Sequence, residues 1–213
     1  MFALTDTPVK FIGLVVLFLF STAWSLFQLS NRQTWPTLVS NIAHLAMSFV
    51  MLAMVPGALW QPLASIVGVP VLVGSFGVAT VWFVGLGVRG LGTQPRWRQP
   101  HGWHAVGHAG MFGAMTGHLA AMLGHGAIGA GRIAVIGLPL MAYLAVSALL
   151  HLKNAVLPGP DLLDHACHEL ADHGHYAAGN PRLGALANFA MVFGMFWMST
   201  GLLVPLLPVL GAL

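Results

Sequence analysis

Six long apolar runs constrain this chain more than any other feature of its sequence. A helix that crosses a bilayer needs about 20 apolar residues. Runs of about that length cover six ranges: 10–29, 36–58, 63–88, 103–124, 131–152 and 182–204. They predict an all-α polytopic membrane protein with six transmembrane helices, in which residues 1–213 form a single transmembrane domain. Because Pro70 and Pro139 lie inside the third and fifth runs, we expect those two helices to be bent and the second, fourth and sixth to be regular.

Composition excludes several classes of protein. Apolar residues make up 57% of the chain and charged residues 6%, against about 45–50% and about 25% in a soluble domain. So few charges exclude a soluble enzyme. The net charge of +3 comes from only eight lysines and arginines, so there is no basic patch for a nucleic acid. No acidic residue lies within the six runs, which argues against a hydrolytic or transferase enzyme and against a proton-coupled transporter.

Charged loop residues predict the orientation of the chain, because lysine and arginine are enriched in cytoplasmic loops. Six of them fall on one side of the predicted bundle: Arg32, Arg89, Arg96, Arg98, Lys153 and Arg182. Lys10 and Arg132 fall on the other side. This distribution predicts a multi-pass protein of the cell (plasma) membrane with both termini outside.

Histidine and methionine share one spacing in the second, fourth and sixth runs. In each run, four positions at intervals of three, four and three residues carry these side chains, with one asparagine among them. The positions are His44, Met47, Met51 and Met54; His108, Met111, Met115 and His118; and Asn188, Met191, Met195 and Met198. This spacing keeps the four side chains of each run on one helical face. His104 extends the second of these three stripes by one turn.

The three runs that carry the stripe are the even-numbered ones, so they cross the membrane in the same direction. His44 and His108 are 64 residues apart, whereas His108 and Asn188 are 80 apart. The extra 16 residues match the length of the polar stretch from Asp161 to Tyr176, before the sixth run. We therefore predict three helical hairpins, with the even-numbered helices arranged around a pseudo-threefold axis along the membrane normal.

Around such an axis the methionines would form stacked rings, and these predict a copper site. Met47, Met111 and Met191 would form one ring, and the ring of Met51, Met115 and Met195 would lie about 6 Å away. Thioether sulfur is soft and neutral and suits Cu(I) better than zinc, magnesium or calcium. Weak stacked sites would also release the ion, as conduction requires. The predicted function is a Cu(I)-binding protein that conducts copper or passes it to a copper enzyme or respiratory complex.

The insertion over 159–180 contains a second group of metal-ligating residues. They are His165, Cys167, His168, His173 and His175. Cysteine and histidine at this density can bind copper, zinc or nickel, although the spacing matches no closed structural zinc site. The alternative is a short polar helix at the membrane interface.

Three other interpretations of the stripes stay open. Methionine also fills irregular gaps between helices, and each histidine could form a helix-to-helix hydrogen bond. A b-type haem of an electron-transfer protein could lie between His44 and His108, which should lie at similar depth. His104 and His118 share a helix face as paired haem ligands do, but a two-haem arrangement needs a second helix with the same pair, and no other run has one. The chain could also be an accessory structural subunit of a respiratory membrane complex.

Two resemblances bear on these predictions. SNIAHLAMSFVMLAMVP in the second run, HAVGHAGMFGAM in the fourth, NFAMVFGMFWM in the sixth and the histidine-rich stretch after Pro160 resemble a family of small actinobacterial membrane proteins known only as a domain of unknown function. That resemblance covers nearly the whole chain and implies no particular activity. The pairs Met47/Met51, Met111/Met115 and Met191/Met195 are similar to the M-x3-M motif of trimeric eukaryotic copper transporters, whose three copies stack two methionine rings along a pore. This second, local resemblance implies copper transport.

Overall fold

The computed structural model describes residues 7–31, 35–93, 100–124, 130–157 and 181–203. These residues form seven α-helices and one 3-10 helix. The α-helices are α1 (Pro8–Leu29), α2 (Trp35–Met54), α3 (Gly57–Val67), α4 (Val69–Thr93), α5 (Pro100–Gly124), α6 (Ala130–Val156) and α7 (Pro181–Ser199), and the 3-10 helix (Thr200–Leu203) follows α7 directly. The predicted all-helical class is therefore confirmed for the described residues.

Four of these helices are long and apolar enough to cross a membrane, which indicates a membrane protein. The four stretches are Pro8–Leu29, Thr37–Met54, Val69–Gly90 and Gly137–Val156. Helices α5 and α7, where the sequence also predicts spans, are not among them. Both helices turn most of their surface inward: of the described side chains of α5, only Val106, Ala120 and Leu123 are exposed, and none is exposed over 184–199 of α7. A helix enclosed by other helices contacts little lipid, so it tolerates the histidine, glycine and asparagine that lower the hydropathy of these two.

The structure differs from the prediction in the third run, where one bent helix was expected over 63–88. Two helices occupy this region instead, because Gly68 lies between α3 and α4 with a φ of +82°. Its N–H donates to the carbonyl of Ala64, and its own carbonyl accepts from the N–H groups of Val71 and Leu72. Gly68 therefore ends one helix and begins the next, and Pro70 falls in the first turn of α4, where a missing N–H is tolerated.

The other interior proline does not break its helix, since α6 continues through Pro139. Pro62 likewise lies inside a helix, α3.

Neighbouring helices form a closed circuit. Helix α1 packs on α2 and α7, α4 packs on α5, and α6 packs on both α5 and α7. The short α3 joins α2 to α4 and contacts both. A single cluster of buried apolar side chains fills the interior and draws on every one of these helices. The arrangement as three hairpins about a pseudo-threefold axis remains a prediction.

Candidate functional site

The eight methionines of the stripes are all buried in the core. Their exposed fractions range from 0% for Met47, Met51 and Met115 to 6% for Met198. All eight belong to one cluster of buried side chains: Met47, Met51 and Met54 of α2, Met111 and Met115 of α5, and Met191, Met195 and Met198 of α7. Three helices thus direct their thioether groups into the protein interior and away from the surrounding lipid.

Two histidines from different helices meet beside these methionines. The Nε2 atom of His44 on α2 lies 2.9 Å from the Nδ1 atom of His108 on α5. The Nδ1 atom of His44 lies 2.7 Å from the carbonyl oxygen of Ser40, one turn earlier in α2. His44 is only 8% exposed, whereas His108 is half-buried. The two rings therefore join α2 to α5 by a direct helix-to-helix hydrogen bond.

The carbonyl of Ser40 decides the direction of these two hydrogen bonds. A carbonyl oxygen only accepts, so His44 Nδ1 carries the proton and donates it to Ser40. With both rings neutral, His44 Nε2 then holds a lone pair, and His108 Nδ1 must donate to it. The hydrogen bonds thus run from His108 to His44 and from His44 to Ser40.

This geometry does not leave room for a metal between the two rings. A metal bound linearly at about 2.0–2.1 Å from each nitrogen would hold them about 4 Å apart, whereas the two nitrogens are 2.9 Å apart. The ring centroids are only 4.4 Å apart, and the rings are nearly perpendicular. A haem iron between His44 and His108 would therefore require α2 and α5 to move apart.

Two phenylalanines pack against the histidine pair. Phe83 of α4 and Phe112 of α5 stack with their centroids 5.1 Å apart. Phe112 lies 5.2 Å from the ring of His44, and Phe83 lies 5.2 Å from the ring of His108. Both phenylalanines are buried. Their packing restricts rotation of the two imidazoles.

A second polar group ties the helices together near the end of α7. His118 Nδ1 of α5 lies 2.9 Å from the hydroxyl oxygen of Ser199. The ammonium group of Lys10, which is buried in α1, donates to the hydroxyl of the next residue, Thr200, over 2.8 Å. Thr200 in turn donates to the carbonyl of Trp197. This group links α1, α5 and α7 at the opposite end of the methionine stripe from the His44–His108 pair.

The structure does not bring the remaining predicted site residues into these contacts. Asn188 is half-buried in α7, one turn before Met191. His104 lies in α5, but its side chain falls outside the described part of the structure. The histidines and cysteine of the insertion lie outside the described residues: His165, Cys167, His168, His173 and His175.

Within the described residues, no group of three or more histidine, cysteine, aspartate or glutamate side chains is placed to hold a metal ion. Methionine sulfur is the most abundant side-chain donor among the buried residues of the described core. The buried polar side chains of this part of the chain come from lysine, serine, threonine and histidine, and none is acidic.

Sequence reasoning missed the partners that orient the histidines. The role of Ser40 could have been found from its spacing, because it lies four residues before His44 and thus one helical turn away. Ser199 directly follows the last methionine of its stripe. Phe83 lies on α4, outside the stripe helices, and nothing in its spacing pointed to the histidine pair.

The domain family described as Domain of unknown function (DUF5134) matches residues 36–202 of this chain. The chain belongs to the DUF5134 family. The resemblance to a family of unknown function is thereby confirmed. The DUF5134 region contains the His44–His108 pair and all eight stripe methionines, whereas α1 precedes it. The chain matches no curated protein and no solved structure.

Proposed function

We propose that this DUF5134 protein is an integral membrane protein that binds Cu(I) in its helical core and conducts it or hands it on. One observation carries the proposal: eight methionines at the same spacing on three helices are all buried in a single cluster. If methionines were placed at random on lipid-facing helices, some of their thioether groups would be exposed. Many valines and leucines of α4 and α6 are exposed in this way.

The chemistry of this donor set fits a soft monovalent ion. Thioether sulfur is the ligand type that selects Cu(I), whereas magnesium, calcium and manganese require carboxylate or carbonyl oxygen. The buried side chains of the described core include no carboxylate, which disfavours those harder ions. A neutral sulfur ligand also leaves the site with only the single positive charge of the ion, which limits the desolvation penalty in an apolar interior.

We also propose that all six predicted runs cross the plasma membrane, with both termini outside. Helices α5 and α7 support this because each packs against helices that are themselves candidate spans, α4 and α6 in one case and α6 and α1 in the other. The three predicted hairpins correspond to the pairs α1/α2, α4/α5 and α6/α7, whose members pack on each other. A copper enzyme or a respiratory complex in the same membrane is the proposed recipient.

Packing alone is the competing explanation, because a flexible thioether also fills gaps in a core. The two explanations predict different effects of replacing the stripe methionines by leucine. Leucine has nearly the volume of methionine and is tolerated in most cores at a cost of less than about 1.5 kcal/mol, but it has no sulfur. Met141 of α6 provides a matched control, since it is also buried in the core cluster at 5% exposure but lies outside the stripes.

The test measures Cu(I) retained by the detergent-purified protein under anaerobic, reducing conditions, in competition with a Cu(I) chelator. We expect the wild type and Met141→Leu to retain copper equally. Replacing Met51, Met115 and Met195 together by leucine should weaken retention by at least about tenfold, which corresponds to about 1.4 kcal/mol. Thermal unfolding of each variant verifies that it is folded. A wild type that retains no copper, or a folded triple variant that retains as much as Met141→Leu, would contradict the proposal.

A further inference from the structure

Helix α1 packs against α7 through aromatic side chains that lie over glycines. Trp197 lies over Gly13, and the ring of Phe18 lies over Gly194. Because the contact positions rise along α1 as they fall along α7, the two helices run antiparallel. A Cβ atom built at Gly194 would lie 2.7 Å from the Cζ atom of Phe18, so this ring lies close against the backbone of α7. Its contact is one residue before Met195.

A hydrogen bond between serines sets the register of α1 against α2. The hydroxyl oxygens of Ser21 and Ser48 lie 2.8 Å apart. Only five residues connect the two helices, and the helices pack on each other, so they also run antiparallel. Three residues from each serine, in the same direction along the bundle, are Phe18 on α1 and Met51 on α2. Phe18 is therefore at the level of Met51 as well as of Met195.

Contacts of α5 bring the second methionine of its stripe, Met115, to the same level. His108 of α5 is hydrogen-bonded to His44 of α2, and in both stripes the second methionine follows this histidine by seven residues. His118, three residues after Met115, contacts Ser199, which is four residues after the second methionine of α7. The second methionines of the three stripes and the aromatic ring of α1 thus lie at one level, and each of these four side chains is at most 2% exposed.

We propose that the aromatic ring of Phe18 binds the Cu(I) ion by a cation–π contact, at the level of the second methionine of each stripe. This inference rests on the proposed copper function and adds a fourth helix to the site. Helix α1 contains no histidine or methionine, so its contribution is an aromatic ring. Thioether ligands are neutral, so the ion keeps its positive charge in an apolar interior. The negative face of an aromatic ring attracts such a cation most strongly where both are desolvated.

Fluorinated phenylalanine tests the cation–π contact, because each added fluorine withdraws electron density from the face of the ring while changing its size only slightly. The samples are the full-length, detergent-purified protein with one, two or three fluorine atoms on the ring of the residue at position 18, introduced by suppression of a stop codon. The affinity for Cu(I) alone is measured by competition with a chelator under anaerobic, reducing conditions. We expect it to fall stepwise with each fluorine, by about tenfold in total, which corresponds to about 1.4 kcal/mol.

Phe76 of α4 provides a matched control. It is also buried in the core cluster, at 4% exposure, but it stacks on Phe112 and lies on a helix that contains no methionine. The same fluorinated residues at position 76 should leave the Cu(I) affinity unchanged, because a merely structural role of a buried ring is insensitive to the electron density of its face. Thermal unfolding of each protein verifies that it is folded.

The variant Phe18→Leu removes the ring altogether and should weaken Cu(I) binding at least as much as three fluorine atoms do. A folded Phe18→Leu variant that binds copper as tightly as the wild type would overturn the inference. An affinity that stays constant along the series at position 18, or that falls equally along the series at position 76, would also overturn it and leave the proposed function intact. A wild type that binds no copper would overturn both.

Discussion

The hydroxyl of Tyr143 on α6 donates to the carbonyl of Gly107 on α5, and the ring of this tyrosine lies against Gly110, one turn further along. A Cβ atom built at Gly110 would lie 2.7 Å from the Tyr143 Cε1 atom, closer than nonbonded carbon atoms approach. The absence of a side chain at Gly110 therefore allows α5 and α6 to pack closely. Gly113, on the same helix, has no such restriction, since a Cβ there would lie 3.7 Å from a methyl group of Thr80.

We expect Gly110→Ala to lower the free energy of unfolding by about 1–3 kcal/mol, the usual cost of overfilling a packed interface. The added methyl group must displace the Tyr143 ring or separate the two helices. Gly113→Ala is the matched control and should leave stability unchanged or slightly raise it. The measurement is unfolding in mixed detergent micelles, followed by circular dichroism. Equal unfolding midpoints for the two variants would contradict this account of Gly110.

The roles of individual histidines depend on atoms that no sequence pattern specifies. The stripes predict that His44, His108 and His118 face inward, and their spacing predicts that His44 and His108 lie at similar depth. Which ring nitrogen faces which partner depends on side-chain torsions and on the relative rotation of α2 and α5. The Ser199 hydroxyl that meets His118 is 81 residues away in sequence, so only the packing of α5 on α7 brings them together.

The break between α3 and α4 depends on a glycine and a proline that lie two residues apart. The sequence predicts a bend from Pro70 alone, because a proline inside a helix removes one hydrogen bond and crowds the preceding turn. Gly68, two residues earlier, adopts a positive φ that other residues rarely adopt. The chain therefore ends one helix before the proline and starts another, and Pro70 then occupies a first-turn position.

Replacing Gly68 by alanine tests this account. With a φ of +82° and a ψ of 131°, a Cβ atom should strain the backbone by about 1–3 kcal/mol. The space around Gly68 is open, since the nearest atom to a built Cβ is 3.9 Å away, so any loss of stability comes from the backbone. Gly74→Ala in α4 is the control, because a Cβ there would have nothing within 4 Å. Unfolding midpoints that do not differ between these two variants would show that the break tolerates a side chain.

The long helices of the bundle differ in how much of their apolar surface is exposed. Large apolar side chains on α1, α4 and α6 are exposed, among them Val16, Val78, Val81, Val146 and Leu149. Helices α5 and α7 contribute most of their side chains to the interior. Helices α5 and α7, which are not among the candidate spans, thus expose few of their described side chains, and they also contain most of the buried methionines.

The orientation of the chain is a prediction that its only cysteine can test. Cys167 lies in the insertion between the basic residues Lys153 and Arg182, which the charge distribution assigns to the cytoplasmic side. A membrane-impermeant thiol reagent should therefore label Cys167 in permeabilised cells but not in intact ones. In the control variant, which combines Cys167→Ser with Ala3→Cys, intact cells should be labelled. The reverse pattern in the two proteins would show that the termini are cytoplasmic.

The amino-acid sequence alone predicts the helical class, the positions of most helices and the inward face of the methionine stripes. It could do so because long apolar runs require helices in a bilayer and because a spacing of three and four residues defines one face of a helix. The hydrogen bonds of His44 to Ser40 and His108 become visible only in the folded protein. The same holds for the packing of Phe83 against His108 and of Tyr143 against Gly110. Those contacts depend on the rotation and separation of helices that are far apart in the chain. Rotation and separation arise from the packing of the described helices together and not from the residues of any one of them.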